Sequence, residues 1–395
     1  MAYQQLERQR HHRRTMQAAS HGLDRGGRTL VDRDMFARLD WVLLGACVAI
    51  LCFGLLMVYS SSRNKVDDDY YFIIRQAVAL VLGIGVFTWL LRVDYRKFRD
   101  FSMLAYVLTV SALFFVLTPI GSEAGGATSW YELPFDFQLQ PAELAKFGLI
   151  VALAGYVNEH RGADIDPWRL TVIIALAAVP IGLVLLQPDL GTDMVLLSIV
   201  VGLLAVGGVR GRYLLALTLL AVTMVWAVIE IGMLTEYQLE RLNIGGSGDD
   251  TQGSAYNQDQ SIKTIGSGDW LGFGLFQGPQ TRLGFVPEQH TDFIFTAVGE
   301  ELGFVGAGSL LLLFAIVLWR TWRIAQLASD YYGTLVCAGV LAMFTFMIVE
   351  NVGMCLGVMP VTGIPLPFMS YGGSAMITCC ACMALVQNVY ANRFN

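Results

Sequence analysis

The chain has 395 residues, of which 55% are hydrophobic and 15% charged, and its mean hydropathy is +0.55. That balance excludes a water-soluble globular domain, because one core cannot hide so much apolar surface and lipid must solvate the remainder. The formal net charge of −6 excludes little, since the asymmetry of sign is local: Arg8, Arg10, Arg13, Arg14, Arg25, Arg28, Arg33 and Arg38 crowd the N-terminal tail.

Residues 1–40 read as a basic, disordered, cytoplasmic tail. The first apolar run starts near Trp41. It is too long for the core of a signal peptide and no small-residue cleavage site follows it, so it is expected to remain as an anchor. A hydrocarbon core about 30 Å thick needs roughly 20 apolar residues, and about ten runs approach that length. They are 41–60, 72–91, 101–120, 143–157, 170–187, 192–209, 212–234, 302–319, 333–356 and 372–390, the fourth short enough to be tilted or packed inside a bundle. The expected fold is therefore an all-α polytopic membrane protein of about ten transmembrane helices. Its transmembrane domain covers 41–395, and a large extracytoplasmic loop, 235–301, separates helices 7 and 8.

Cytoplasmic loops retain Lys and Arg. With the N-terminus inside, the inner segments hold Arg92, Arg96, Lys97, Arg99, Arg161, Arg169, Arg210, Arg212, Arg320, Arg323 and Arg393, against Arg63, Lys65, Arg241, Lys263 and Arg282 outside. Both termini are then cytoplasmic. The cysteines all lie in apolar runs, where they act as small hydrophobes, and no disulfide is expected. Two outer segments, 121–142 and the Gly-rich 235–301, are too long for simple turns, and such loops are usually functional. No internal repeat supports the inverted symmetry of secondary transporters.

Charges inside spans are costly and tend to mark sites. Arg75 lies near the outer end of the second span, as a functional cation or a snorkelling side chain. Glu143 and Lys146 share one face of the fourth, either as an intrahelical ion pair or as part of a site. Pro141 precedes them at a helix start whose backbone N–H groups could hold a phosphate or simply be capped. Trp130 reads as an interfacial aromatic, and Asp189 as the cap of the following helix. Asp292 stands directly before Phe293, where the chain re-enters lipid. An acid there is either a helix N-cap or a partly desolvated general base. Glu288, His290 and Asp292 form a weak metal signature, and Glu300 and Glu301 either line the same cavity or cap an interface.

At these residues the sequence resembles the SEDS family of polytopic peptidoglycan glycosyltransferases. The resemblance covers nearly everything from residue 41 onward. It rests on Tyr256–Ser261 (YNQDQS), Ile265–Gly268 (IGSG), Gly278-Pro279-Gln280, Pro287–Phe295 (PEQHTDFIF) with Glu300-Glu301-Leu302-Gly303, and Pro365–Ser374 (PLPFMSYGGS), in that order. Pro360–Phe368 is similar to the elongation type, RodA, rather than the division type, FtsW, although the long basic tail is less usual for the former. Two smaller departures are Ala142, where Ser is common, and Thr128-Ser129, where basic residues are frequent.

The resemblance implies polymerisation of lipid II into β-1,4 glycan strands on the outer face of the bacterial cytoplasmic membrane, with release of undecaprenyl pyrophosphate. It implies Asp292 as the base, and Arg75, Lys146, Glu143, Trp130, Gln280 and Tyr256 as residues that bind substrate or pyrophosphate. Mg²⁺ or Mn²⁺ is a candidate cofactor, with Asp292 and Glu288 as candidate ligands, and no organic cofactor is expected. The implied partners are lipid II, membrane lipids and a class B penicillin-binding protein, with no nucleic acid. A lipid II flippase and a noncatalytic scaffold are the competing readings.

Overall fold

The structure, a computed structural model, describes residues 38–63, 70–124, 127–133, 137–160, 167–216, 219, 223 and 254–394. The chain divides into two units, residues 1–40 and 41–395. Almost all of the first, the tail, lies outside the described residues, and everything below concerns the second.

In chain order the elements are α1 (Trp41–Ser62), α2 (Tyr71–Arg92), α3 (Arg96–Asp100), α4 (Ser102–Val116), β1 (Ser122–Ala124), β2 (Ala127–Leu133), β3 (Phe137–Leu139), α5 (Pro141–Glu159), α6 (Pro167–Leu185) and α7 (Leu190–Val206). After the break come α8 (Ser254–Ser267), α9 (Pro279–Leu283), α10 (Ile294–Leu327), α11 (Tyr331–Cys355) and α12 (Gly373–Ala391). Helices α1, α2, α4, α5, α6, α7, α10, α11 and α12 match the expected apolar runs. The seventh run, 212–234, lies mostly outside the described residues, although 211–216 are helical.

Burial sorts these helices into two groups. Helices α5, α11 and α12 are enclosed: α5 buries Leu149, Ile150, Val151 and Leu153, and α12 buries the run from Cys379 to Val389. Helices α2, α4 and α10 instead expose large apolar side chains, among them Val81, Trp89, Met103, Leu108 and Leu312. A surface so apolar is favourable only where lipid is the solvent. The fold is thus a polytopic membrane bundle, as expected from composition.

Local chemistry sets the helix ends. Pro141 opens α5, where a missing N–H costs nothing. Asp189 caps α7, accepting from Thr192 N at 3.0 Å, and Asp330 caps α11, accepting from Gly333 N at 2.7 Å. At the opposite end of α2, Asn388 of α12 donates to Leu90 O and Val93 O at 2.8 and 2.6 Å, satisfying carbonyls that the helix end leaves open.

Two features depart from the expected outline. The segment 121–142 holds an antiparallel sheet of order β1-β2-β3, which the all-α expectation did not include. The described part of the 235–301 loop is also largely built: it contains α8 and α9, and its last residues already belong to α10. That helix begins at Ile294 rather than at 302, and it is broken at Gly303 (φ 64°, ψ −162°). The acids at Glu300 and Glu301 make this first portion look like loop in the sequence.

The break is where the loop docks. Phe304 N donates to Asp269 O at 2.9 Å and Val305 N to Trp270 O at 3.1 Å, while Phe273 N and Gly274 N donate to Glu300 O and Glu301 O at 3.1 and 2.9 Å. A Cβ on Gly303 would stand 2.4 Å from Gly272 N, and the positive φ disfavours any side chain. Gly303→Ala is therefore expected to destabilise the protein by about 2 kcal/mol or more, read as a lowered thermal midpoint in detergent and faster amide exchange over 268–275.

Candidate functional site

Asp292 lies in the turn before α10, its N–H donating to Glu288 O at 3.1 Å. The cap position of α10 belongs to Phe293, whose own side chain makes no capping hydrogen bond. Asp292 thus stands one position before the cap residue of α10. Its carbonyl is held from α11, where Asn351 Nδ2 donates to Asp292 O at 2.7 Å and to Ile364 O at 2.8 Å. One amide thus ties α11, the Asp292 turn and the 361–364 segment together.

A second set of contacts brings in α2. Tyr371 N donates to His290 O at 2.9 Å, and the His290 ring packs edge-on to Phe72 of α2 at 4.5 Å and tilted to Tyr371 at 5.5 Å. Gln76, buried one position beyond Arg75, donates to Ser370 O at 3.0 Å and accepts from Gly372 N at 3.2 Å. The Arg75 guanidinium sits 4.4 Å from the Tyr71 ring centre and meets the Tyr371 hydroxyl. Burial pushes the Tyr371 phenol above its ordinary range, with Arg75 opposing the shift, so the group stays a neutral hydroxyl at neutral pH. Arg75 thus meets Tyr371, which packs on His290, two positions before Asp292.

Glu143 and Lys146 are sealed. Lys146 Nζ donates to Glu143 Oε1 at 2.6 Å, and the side chains are 1% and 5% exposed. The adjoining α5 start is fastened to α12 rather than left open: Gln140 N donates to Ser374 Oγ at 2.9 Å and Gln140 Nε2 to Asp189 Oδ2 at 3.1 Å. Trp130 lies in β2, part of a small sheet anchored by Ser129 Oγ to Gln187 O and by the Tyr131 hydroxyl to Ala112 O. Among the described residues no ring contact or hydrogen bond joins its side chain to Asp292.

Glu300 and Glu301 fasten the loop. Glu300 accepts from Gln280 N, Thr281 N and Thr281 Oγ1 at 2.7, 2.9 and 2.6 Å, so it satisfies the first N–H groups of α9. Glu301 accepts from Phe276 N at 3.0 Å and from the Ser60 hydroxyl of α1, while Arg63 holds Phe276 O at 3.0 Å. The Gln280 side chain accepts from Thr264 Oγ1 of α8 at 2.8 Å. Tyr256 lies in the first turn of α8, and α8 docks on the end of α11 through Gln258 to Met359 O and Ser261 to Cys355 O, at 2.8 and 2.7 Å.

For a metal ion the donor set differs from the sequence signature. Glu288 is exposed and packs against Thr291 Oγ1, and His290 is enclosed by rings. Among the described residues no group of three or more His, Cys, Asp or Glu side chains is arranged to hold a metal. What does lie beside Asp292 is a buried carboxylate without hydrogen-bond partners, Glu350. Neither it nor Gln76 stood out in the sequence. Oxygen donors of this kind fit Mg²⁺ or Mn²⁺.

Fold and site define a multi-pass membrane protein whose polar groups converge where the α2, α10, α11 and α12 segments meet around one acid. Residues 41–395 match the family described as cell cycle protein, FtsW/RodA/SpoVE, and the chain belongs to it. It is 34% identical over 358 residues to stage V sporulation protein E of Bacillus subtilis (strain 168), covering 89% of this chain and 96% of that protein. It is 32% identical over 364 residues to a protein of Geobacter metallireducens named probable peptidoglycan glycosyltransferase FtsW, covering 89% and 94%. Among solved structures, a chain from work on polymerization and crosslinking by a peptidoglycan synthase complex matches with a TM-score of 0.77 at 32% identity, covering 90% and 99%. The rod shape determining protein RodA of Thermus thermophilus matches with a TM-score of 0.68 at 31% identity, covering 90% and 98%. The family expected from the motifs is thereby borne out.

The sealed pair makes a measurable statement. Lys146→Met leaves the Glu143 carboxylate buried without its cation and is expected to destabilise the protein by about 3–5 kcal/mol, whereas Glu143→Leu with Lys146→Met recovers most of that loss. Thermal unfolding of the three proteins in one detergent checks it.

Proposed function

We propose that this chain is a peptidoglycan glycosyltransferase that polymerises lipid II at the outer face of the cytoplasmic membrane, with Asp292 as general base. The acceptor 4-hydroxyl attacks the anomeric carbon of the donor. The bond from that carbon to the phosphate oxygen breaks, undecaprenyl pyrophosphate leaves, and Asp292 takes the hydroxyl proton. One displacement inverts the α-linked donor to a β-1,4 bond, so no covalent carboxylate partner is needed. The observation that carries the reading is the Asp292 turn: it directly precedes the start of α10, its backbone is clamped by Asn351, and His290 two positions before it packs on Tyr371, which Arg75 meets.

Arg75 stabilises charge on the departing pyrophosphate. Lys146, paired with Glu143 inside the bundle, acts through the position of α5 rather than by touching substrate. A Mg²⁺ or Mn²⁺ ion bound beside Asp292 would supply further positive charge to the leaving group. The polyprenyl tail stays in lipid, and the termini face the cytoplasm, as the distribution of Lys and Arg supports. A class B penicillin-binding protein is the proposed partner.

The role is proposed to be elongation, supported by Pro360–Phe368. Division is the second reading, favoured by relatives that carry the name FtsW. Depletion in the native cell separates them, rounding for the first and filaments for the second.

Purified protein given labelled lipid II in detergent is expected to form glycan chains. Asp292→Asn lowers the rate by about a hundredfold or more, and Arg75→Ala by about tenfold to a hundredfold. Polymer formed by Asp292→Asn at the wild-type rate overturns the base assignment. Headgroup translocation in sealed liposomes without polymer overturns the enzyme in favour of a transporter.

A further inference from the structure

Beside Asp292 the bundle encloses an acid that the reaction above does not use. Glu350 of α11 is 2% exposed, and neither carboxylate oxygen has a hydrogen-bond partner among the described residues. Thr362 Oγ1 faces it without closing a hydrogen bond and is itself buried and unpartnered. Asn351 Oδ1, one position along α11, is another enclosed oxygen without a donor, its amide nitrogen being committed to Asp292 O and Ile364 O. The charged group acting on Glu350 is Asp292, a second acid.

An ionised carboxylate withdrawn from water without donors is costly, and a like charge adds to the cost. Every orphaned atom here is an oxygen that lacks a positive partner. Hard divalent cations take carboxylate, amide and hydroxyl oxygens and retain some of their water. The orphaned atoms grouped here are all oxygens, which favours a hard ion over zinc.

We propose that Glu350, Asn351 and Thr362 form an oxygen-lined pocket, opening toward Asp292, for one divalent cation of the Mg²⁺ or Mn²⁺ class, with Glu350 as its buried anchor. Its consequence for catalysis rests on the reading of Asp292 given above; the binding itself does not.

The test uses the full chain in detergent, stripped with EDTA and titrated with Mn²⁺, free ion being followed by electron paramagnetic resonance. Wild type is expected to bind one Mn²⁺. Glu350→Gln, which keeps the shape, weakens binding about tenfold or more, and Thr362→Val weakens it less. Both are expected to retain the metal-free thermal midpoint of wild type. Wild-type affinity in Glu350→Gln, or no binding by wild type, overturns the pocket. Lipid II polymerisation is run beside the titration, and its half-saturating Mn²⁺ concentration is expected to rise in Glu350→Gln. Polymerisation by a protein whose Mn²⁺ affinity ignores Glu350→Gln sinks the pocket alone; Mn²⁺ binding at Glu350 without polymerisation sinks the glycosyltransferase reading alone.

Discussion

A helix interrupted inside an apolar bundle frees backbone groups that lipid cannot satisfy. Helix α10 breaks at Gly303 and finds its partners in the 269–274 segment, which in turn gives its own N–H groups to Glu300 O and Glu301 O. The exchange is reciprocal, so neither the break nor the loop can relax alone. The Glu300 and Glu301 carboxylates extend the same fastening to α9, to Phe276 and to α1. Asp292 stands just before the helix so anchored, and its position is inherited from it.

The second hub is the Ser370–Ser374 segment at the head of α12. Ser370 and Gly372 bind Gln76 of α2, Tyr371 binds His290 near Asp292, and Ser374 binds Gln138 of β3 and Gln140 just before α5. Side chains that are far apart in sequence therefore meet through one short polar stretch. Its backbone N–H and C=O groups carry most of the load, which ties the geometry of the site to the path of the main chain more than to any one side chain.

The bundle was legible because lipid imposes a length and a composition on each span, and these survive in the sequence without knowledge of packing. Asp292 was legible as a boundary residue, and the motif resemblance singled it out. The small sheet was not, since strands as short as Ser122–Ala124 and Phe137–Leu139 carry too little alternation to be read. The fastening roles of Glu300 and Glu301 were hidden because their partners come from other elements. Glu350 carries a signal of its own, since a lone acid inside the expected run 333–356 is by position a site candidate. Its apolar neighbours in sequence masked it, and only burial without partners made it stand out.

The cations differ in what they can offer an incoming anion. Lys146 and Glu143 form a neutral pair in a low-dielectric interior, and the field of such a pair falls off faster than that of a single charge. Drawing Lys146 toward a pyrophosphate would leave Glu143 charged and enclosed, at a cost comparable to breaking a buried salt bridge. Arg75 is half-buried in the first turns of α2, its guanidinium against the Tyr71 ring and the Tyr371 hydroxyl. A guanidinium can add a bidentate phosphate contact while keeping its face on an aromatic ring. The same fold thus seals one cation in an ion pair inside the bundle and leaves another half-buried against aromatic rings, although in sequence both are simply charges within apolar runs.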